Sequence, residues 1–249
     1  MATCVATLLH AVTAFCQPDT LFTHTYERTW ALSLLGFAQT NDGFVIGCEG
    51  FEIEEHGSDF ELVKLDSEYE IEWRQYYHSG RNDRPIAYKC FSVRQMPDGG
   101  YVLTGRTSGG WMLIRTDADG EEIWRRFLLR EDGFNVGQDC IVDGDGNIVV
   151  VGSNIATKFS DENEGEVIWS HTIEDTRNII SIVSLRNGDF AIGANTSAFG
   201  AQGEDMYAAR IDADGEIVWQ NAYGTEHTDF FYSIIETSDG GFCLAGLTT

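Results

Sequence analysis

A chain of 249 residues, 43% hydrophobic and 12% aromatic, can bury a sizeable core, and it contains no run of eighteen apolar residues that would span a membrane as a helix. Forty acidic residues against sixteen basic ones leave a formal net charge of −24, a surface that repels phosphate backbones and argues against nucleic acid as a partner. The 27 glycines and three prolines predict many tight turns rather than linkers.

The basic residues are three lysines (Lys64, Lys89, Lys158) against thirteen arginines. Dispersed Asp and Glu with scarce Lys resembles the proteins of salt-loving archaea, in which screening offsets self-repulsion. A merely acidic protein is the other reading, and composition leaves both open. At the N-terminus an apolar run from Val5 to Ala14 ends like a signal cleavage site, yet no Lys or Arg precedes Arg28 as a secretory leader requires. Residues 1–19 are set apart as an N-terminal extension, an extra strand or a signal-like segment, ahead of a domain over 20–249.

From residue 32 onward one script repeats. An apolar stretch runs into an Asp/Asn-Gly turn, then a strand ending in Gly; a second alternating strand ends in Asp, and a last strand is centred on Trp. The first unit has Asn41-Asp42-Gly43, Asp59 to Asp66 and Trp73. The second has Asp98-Gly99-Gly100, Trp111 to Asp117, Asp119-Gly120 and Trp124. The third has Asp145-Gly146, Ile155 to Asp161 and Trp169, and the fourth Asn187-Gly188, Asp205 to Asp212, Asp214-Gly215 and Trp219. A half unit ends the chain with Asp239-Gly240-Gly241 and Phe242 to Gly246. The four tryptophans recur 51, 45 and 50 residues apart.

Asp-Gly and Asn-Gly between alternating apolar runs signal hairpins, because Gly takes the positive φ that the turn needs. A four-stranded sheet with two apolar faces must stack on copies of itself, and radial stacking gives a propeller. The expected fold is therefore all-β: a β-propeller of four-stranded antiparallel blades, five in number. Tyr26 lies sixteen residues before Asp42, as Tyr223 lies before Asp239. Thr20 to Tyr26 is thus expected as the outermost strand of the blade begun by Phe231 to Gly246, with Phe22 in the Trp place and residues near Val5 to Ala11 between them. The rival is an arc of a larger ring.

Thr196-Ser197-Ala198-Phe199-Gly200 leading to Asp212-Ala213-Asp214-Gly215 and Trp219 resembles the repeat of bacterial and archaeal β-propeller proteins with units of roughly fifty residues. So does Tyr223-Gly224 leading to Asp239-Gly240-Gly241. The third unit, with Asn163-Glu164-Gly165 at its turn, is the loosest match. The resemblance implies a propeller that is extracellular or at the cell surface, and no particular activity. A weaker likeness to quinoprotein-type repeats, with Gly120 before Trp124 and Gly215 before Trp219, implies that the Trp docks neighbouring blades. No residue matches the cofactor pocket of those enzymes, and no cofactor is expected.

The six cysteines show no CxxC and fall at unlike places in the repeat, so free and mostly buried thiols are expected instead of zinc or disulfides. The Asp-rich turns resemble calcium loops, but Asn154 stands twelfth from Asp143 where a bidentate Glu would be needed, and Asp caps such turns without an ion. No metal site is therefore expected. There is no Gly-x-Ser-x-Gly, no phosphate-binding glycine loop and no His pair at ligand spacing, so no catalytic residue is assigned. Glycoside hydrolysis needs only two carboxylates on one face and stays open.

The short turns between strands one and two, and three and four, share one face. The opposite face carries the variable segments Gly47 to Ser58, Arg106 to Gly110, Ala194 to Glu204, His78 to Ala87, Leu128 to Val136 and Gly224 to Asp229, where a rigid scaffold would present its ligand contacts. The candidates there are Glu52, Glu54, Glu55, His56, Arg81, Arg84, Trp111 and Phe199, each otherwise an ordinary loop residue. Trp30 and Trp111 are packing residues or platforms for a sugar. The expected role is a non-catalytic binding or scaffold module for a protein or carbohydrate, with a carbohydrate-active propeller, lectin or hydrolase, as the alternative.

Overall fold

The computed structural model describes residues 2–6, 24–28, 34–51, 58–77, 89–107, 110–128, 137–199 and 203–249. Among them are twenty strands and no helix. Four consecutive units each form a four-stranded antiparallel meander. Blade 1 comprises β3 (Leu34–Gln39), β4 (Gly43–Phe51), β5 (Ser58–Asp66) and β6 (Ile71–Tyr77). Blade 2 comprises β7 (Lys89–Gln95), β8 (Tyr101–Thr107), β9 (Gly110–Thr116) and β10 (Glu122–Leu128). Blade 3 has β11 (Asp139–Val142), β12 (Ile148–Gly152), β13 (Ile155–Ser160) and β14 (Glu166–Thr172). Blade 4 has β15 (Asn178–Ser184), β16 (Phe190–Thr196), β17 (Asp205–Ile211) and β18 (Ile217–Tyr223). Two two-stranded sheets complete the description: β19 (Asp229–Glu236) with β20 (Phe242–Thr248), and β1 (Ala2–Ala6) with β2 (His24–Arg28).

This is the expected propeller of four-stranded blades. The described residues make four complete blades and two half sheets, not five complete blades. β2 pairs with the N-terminal strand β1, Tyr26 opposite Cys4, and among the described residues no ladder links β1 to β20.

The first strands β3, β7, β11, β15 and β19 pack against one another in succession and so lie innermost. Between blades sit continuous apolar layers. Val45, Phe60 and Leu62 of blade 1 meet Val93, Tyr101 and Leu103 of blade 2. Val102, Trp111 and Leu113 of blade 2 meet Cys140, Ile148 and Val150 of blade 3, and Val149 and Val151 of blade 3 meet Ile182, Phe190 and Ile192 of blade 4. Alternating strands with both faces apolar are stable only when covered on both sides, which is why the copies stack.

The outer-strand tryptophans are half-buried, apart from the buried Trp124, and Trp73, Trp124 and Trp169 each dock on the third-to-fourth turn of the next blade. Gly120, Gly165 and Gly215 lie under Trp73, Trp124 and Trp169 so closely that a Cβ would come within 2.8, 2.6 and 2.9 Å of the ring. The residue two places after the Trp joins in: Gln75 donates to Glu121 (2.9 Å), Arg126 to the Gly165 carbonyl (3.2 Å), and His171 meets the Asp214 carbonyl (3.1 Å). The irregular third unit keeps this device because its longer turn still delivers Gly165 at φ +77°. In blade 1 the same position is Tyr69 at φ +68°, and its ring stacks on Phe44 at 5.1 Å.

Candidate functional site

Around the axis, the position six residues before the first-turn residues Asp42, Asp98, Asp145, Asn187 and Asp239 holds Gly36, Ser92, Asp139, Ser181 and Ser233. Small side chains there allow the inner strands to touch: a Cβ on Gly36 would already sit 3.3 Å from the backbone of Ser92. Asp139 is the one carboxylate in this ring, and both of its oxygens are engaged. Oδ1 accepts from the Ser92 hydroxyl (2.8 Å), the Arg94 guanidinium (2.8 Å) and the Cys140 amide (2.9 Å); Oδ2 accepts from the Ile182 amide (3.1 Å). One side chain thereby ties blades 2, 3 and 4 at the axis. Charge-assisted bonds of this kind hold the side chain in one orientation.

The turn face carries a second repeating arrangement. Lys64, Arg115, Lys158 and Arg210 occupy one position on the third strands, each opposite its blade's Trp. Each pairs with an Asp of its own blade's first turn: Lys64 with Asp42 (3.0 Å), Arg115 with Asp98 (2.6 Å), Lys158 with Asp143 (2.8 Å) and Arg210 with Asp189 (2.5 Å). Arg115 also reaches Asp161 of blade 3 at 3.0 Å. Sequence reasoning missed this set; its signal is a Lys or Arg just before the strand-ending Asp in a chain with few cations. The Asp turns themselves behave as turn chemistry requires. Asp117 Oδ1 accepts from the amides of Asp119 and Glu121, and Asp143 Oδ1 from those of Asp145 and Asn147. Between blades 2 and 3 this face opens into a cleft of about 480 Å³ lined by Asp98, Arg115, Asp145, Asp161 and Glu162, with Met96 and Pro97.

Of the sequence candidates, Glu52, Glu54, Glu55, His56, Arg81 and Arg84 lie outside the described residues, as does Trp30. Trp111 and Phe199 belong to different blades and are not brought together. Trp111 is 1% exposed in the layer between blades 2 and 3, so it packs and offers no platform. Phe199 is 50% exposed at φ +58°, its ring 6.0 Å from that of Tyr207. Tyr207 is buried, donates to Gln220 at 2.7 Å and has its phenol pushed up to about 12 by that burial. Nearby, the Thr196 hydroxyl donates to the carbonyl of Asp175, itself at φ +61°, and Arg177 pairs with Glu204 at 3.4 Å. The loops after β14 and β16 are thus bonded into one ridge on the variable face.

Cys48, Cys90 and Cys140 are buried and Cys243 is exposed. Burial, chiefly, raises the Cys90 and Cys140 thiols, Cys140 to about 11, which removes them from nucleophilic chemistry.

No protein-family model and no curated protein matches the sequence, so the likeness to the repeat family rests on the quoted motifs alone. Among solved structures, a protein of unknown function from Bacteroides caccae is similar at TM-score 0.58 and 12% identity, over 82% of this chain and 72% of that one. BBS1N, solved in complex with ARL6DN, is similar at TM-score 0.51 and 13% identity, over 90% of this chain and 67% of that one. A glycoside hydrolase matches at TM-score 0.40 and 12% identity, over 84% and 60%, too distant to bear on function. At these identities the likeness speaks for the fold: the chain is an all-β protein of propeller-like architecture.

Proposed function

We propose that this chain is a non-catalytic β-propeller binding or scaffold module, which meets a protein or carbohydrate ligand on the face of the variable loops. The observation that carries the reading is the axis. Its ring is Gly36, Ser92, Asp139, Ser181 and Ser233, and the one carboxylate among them is committed to four donors from three blades. A glycosidase needs a pair of carboxylates free to exchange protons and face a sugar, whereas Asp139 serves to hold blades together. The ridge that presents Phe199 gives the module a partly exposed aromatic surface, the kind of feature on which ligand contacts concentrate.

The exposed Phe199 ring favours a sugar as the ligand, since an apolar face of a pyranose stacks on such a ring. A glycan array run beside a panel of chromogenic glycosides tests both readings. The expected result is no turnover, with any glycan signal lost in Phe199→Ala. Turnover abolished by Asp139→Asn in a folded protein would overturn the non-catalytic reading.

A further inference from the structure

Two sheets stop at two strands, and their registers identify which halves they are. In complete blades the residue four places after the outer-strand Trp stands opposite the residue four places before the third-strand cation: Tyr77 opposite Phe60, Leu128 opposite Trp111, Tyr223 opposite Met206. In blade 3 the Ile173 amide bonds the Asn154 carbonyl at the same place. Tyr26 is the counterpart of Tyr223 by its distance from the next first turn, and it stands opposite Cys4. So β2 takes the place of a fourth strand by its spacing from the next first turn, and β1, its antiparallel partner, that of a third. Conversely, β19–β20 carries the inner-strand bulge between Phe231 and Ser233 that β7 and β15 carry between Cys90 and Ser92 and between Ile179 and Ser181, the mark of strands one and two.

The β20 side is also unfinished in its packing. Trp219 makes with Phe242 (5.3 Å) the edge-on contact that Trp73 makes with Tyr101, but among the described residues no turn glycine lies against it as Gly120, Gly165 and Gly215 lie against its three counterparts. Tyr232, Ile235 and Leu247 are 59%, 55% and 49% exposed. A two-stranded sheet is marginal by itself, and an open edge invites pairing with other chains.

We propose that β20 is the docking edge for β1, so that the two half sheets form one four-stranded blade. The register follows from blade 4, where Asn195 stands opposite Met206 and Gly193 opposite Ala208. Transferred by the offset from Asn187 to Asp239, it places Leu247 opposite Cys4, Gly246 opposite Val5 and Ala245 opposite Ala6. The edge is then covered by the segment whose pairing pattern fits it.

Oxidative cross-linking of Leu247→Cys, in a Cys16→Ser/Cys243→Ser background, reads this register directly, because opposed Cβ atoms on paired strands lie within disulfide reach. The expected product is an intramolecular link from Cys4 to the introduced thiol, seen as a faster monomer band without reductant and as one linked peptide pair by mass spectrometry. Leu244→Cys, three residues out of register, should give none. The double variant Ala6→Cys/Ala245→Cys in a Cys4→Ser/Cys16→Ser/Cys243→Ser background is the second reading of the same contact. Cys4 freely alkylated in the folded Leu247→Cys variant, or links formed only between two chains, overturns the proposal.

Discussion

The indole of Trp124 lies against Gly165 of the next blade, where an added Cβ would come within 2.6 Å of Cζ3. Gly165 is at φ +77°, and the same turn supplies Asp161, which accepts from the Trp124 Nε1 at 3.3 Å. One turn thus serves its own hairpin and the neighbour's tryptophan at once.

Gly165→Ala should therefore destabilise the protein twice over. The left-handed backbone costs about 1–2 kcal/mol for a residue with a Cβ, and crowding against the indole adds about 1–3 kcal/mol. Gly146→Ala separates the two effects, since Gly146 has φ +82° and nothing within 4 Å of its Cβ position. Urea melts should show the larger loss for Gly165→Ala; equal losses would mean that the tryptophan yields freely.

Arg115 is 3% exposed and holds carboxylates of two blades, Asp98 and Asp161. Arg115→Met removes the cation and leaves those carboxylates facing one another. Breaking a buried pair costs about 3–5 kcal/mol, and the partial exposure of both Asp side chains reduces the expectation to about 2–3 kcal/mol. Arg186→Ala, at a 61% exposed side chain, should change stability by less than about 0.5 kcal/mol. Denaturant midpoints of the two variants decide it.

Acid should unfold the protein through the same brackets. The Thr40 hydroxyl and then Lys64 hold the Asp42 carboxyl below its ordinary value, and the Asn187 amide and then Arg210 do so for Asp189. Partial burial pushes Asp98 up, but its bonds to Arg115 and the Gly100 amide outweigh that and leave it lowered. Carboxyls depressed in the folded state stabilise it above the unfolded value near about 4, and that contribution is lost as pH falls through the folded values. The melting temperature should drop below about pH 4, less steeply in Asp42→Asn. Equal slopes for variant and wild type would remove the bracket from the explanation.

The net charge of −24 gives the salt dependence its sign. Screening of carboxylate repulsion should raise the melting temperature as KCl rises into the molar range, to the degree that the acidity is a salt adaptation. A melting temperature that stays flat favours the plain acidic protein.

Chelation should leave stability unchanged. The Asp117, Asp143 and Asp212 carboxylates already cap their own turns, and Lys158 neutralises Asp143. Paired thermal melts with and without EDTA check this, and a large drop on chelation would return calcium to the Asp-rich turns.

The repeat made the blades legible because each strand's alternation and each turn's Gly are local properties of the backbone. Asp59 to Asp66 and Asp205 to Asp212 read as third strands and are β5 and β17 with at most a residue's difference. The candidate site was legible only as a face. Strand count fixes which loops share an end, but nothing in the sequence distinguishes Trp111, which is swallowed between blades, from Phe199, which is not.

Local chemistry in the sequence determined the strands, the Asp-capped turns and the need for copies to stack, because φ preferences and apolar alternation act within a few residues. Tertiary structure decided which groups meet across blades. Asp139 receives Arg94 from forty-five positions away and Ile182 from forty-three, and Gly165 is shaped by a ring that belongs to the preceding unit. Such contacts follow from the angle at which one sheet lies on the next, a quantity set by the packing of whole layers and written in no single stretch of residues.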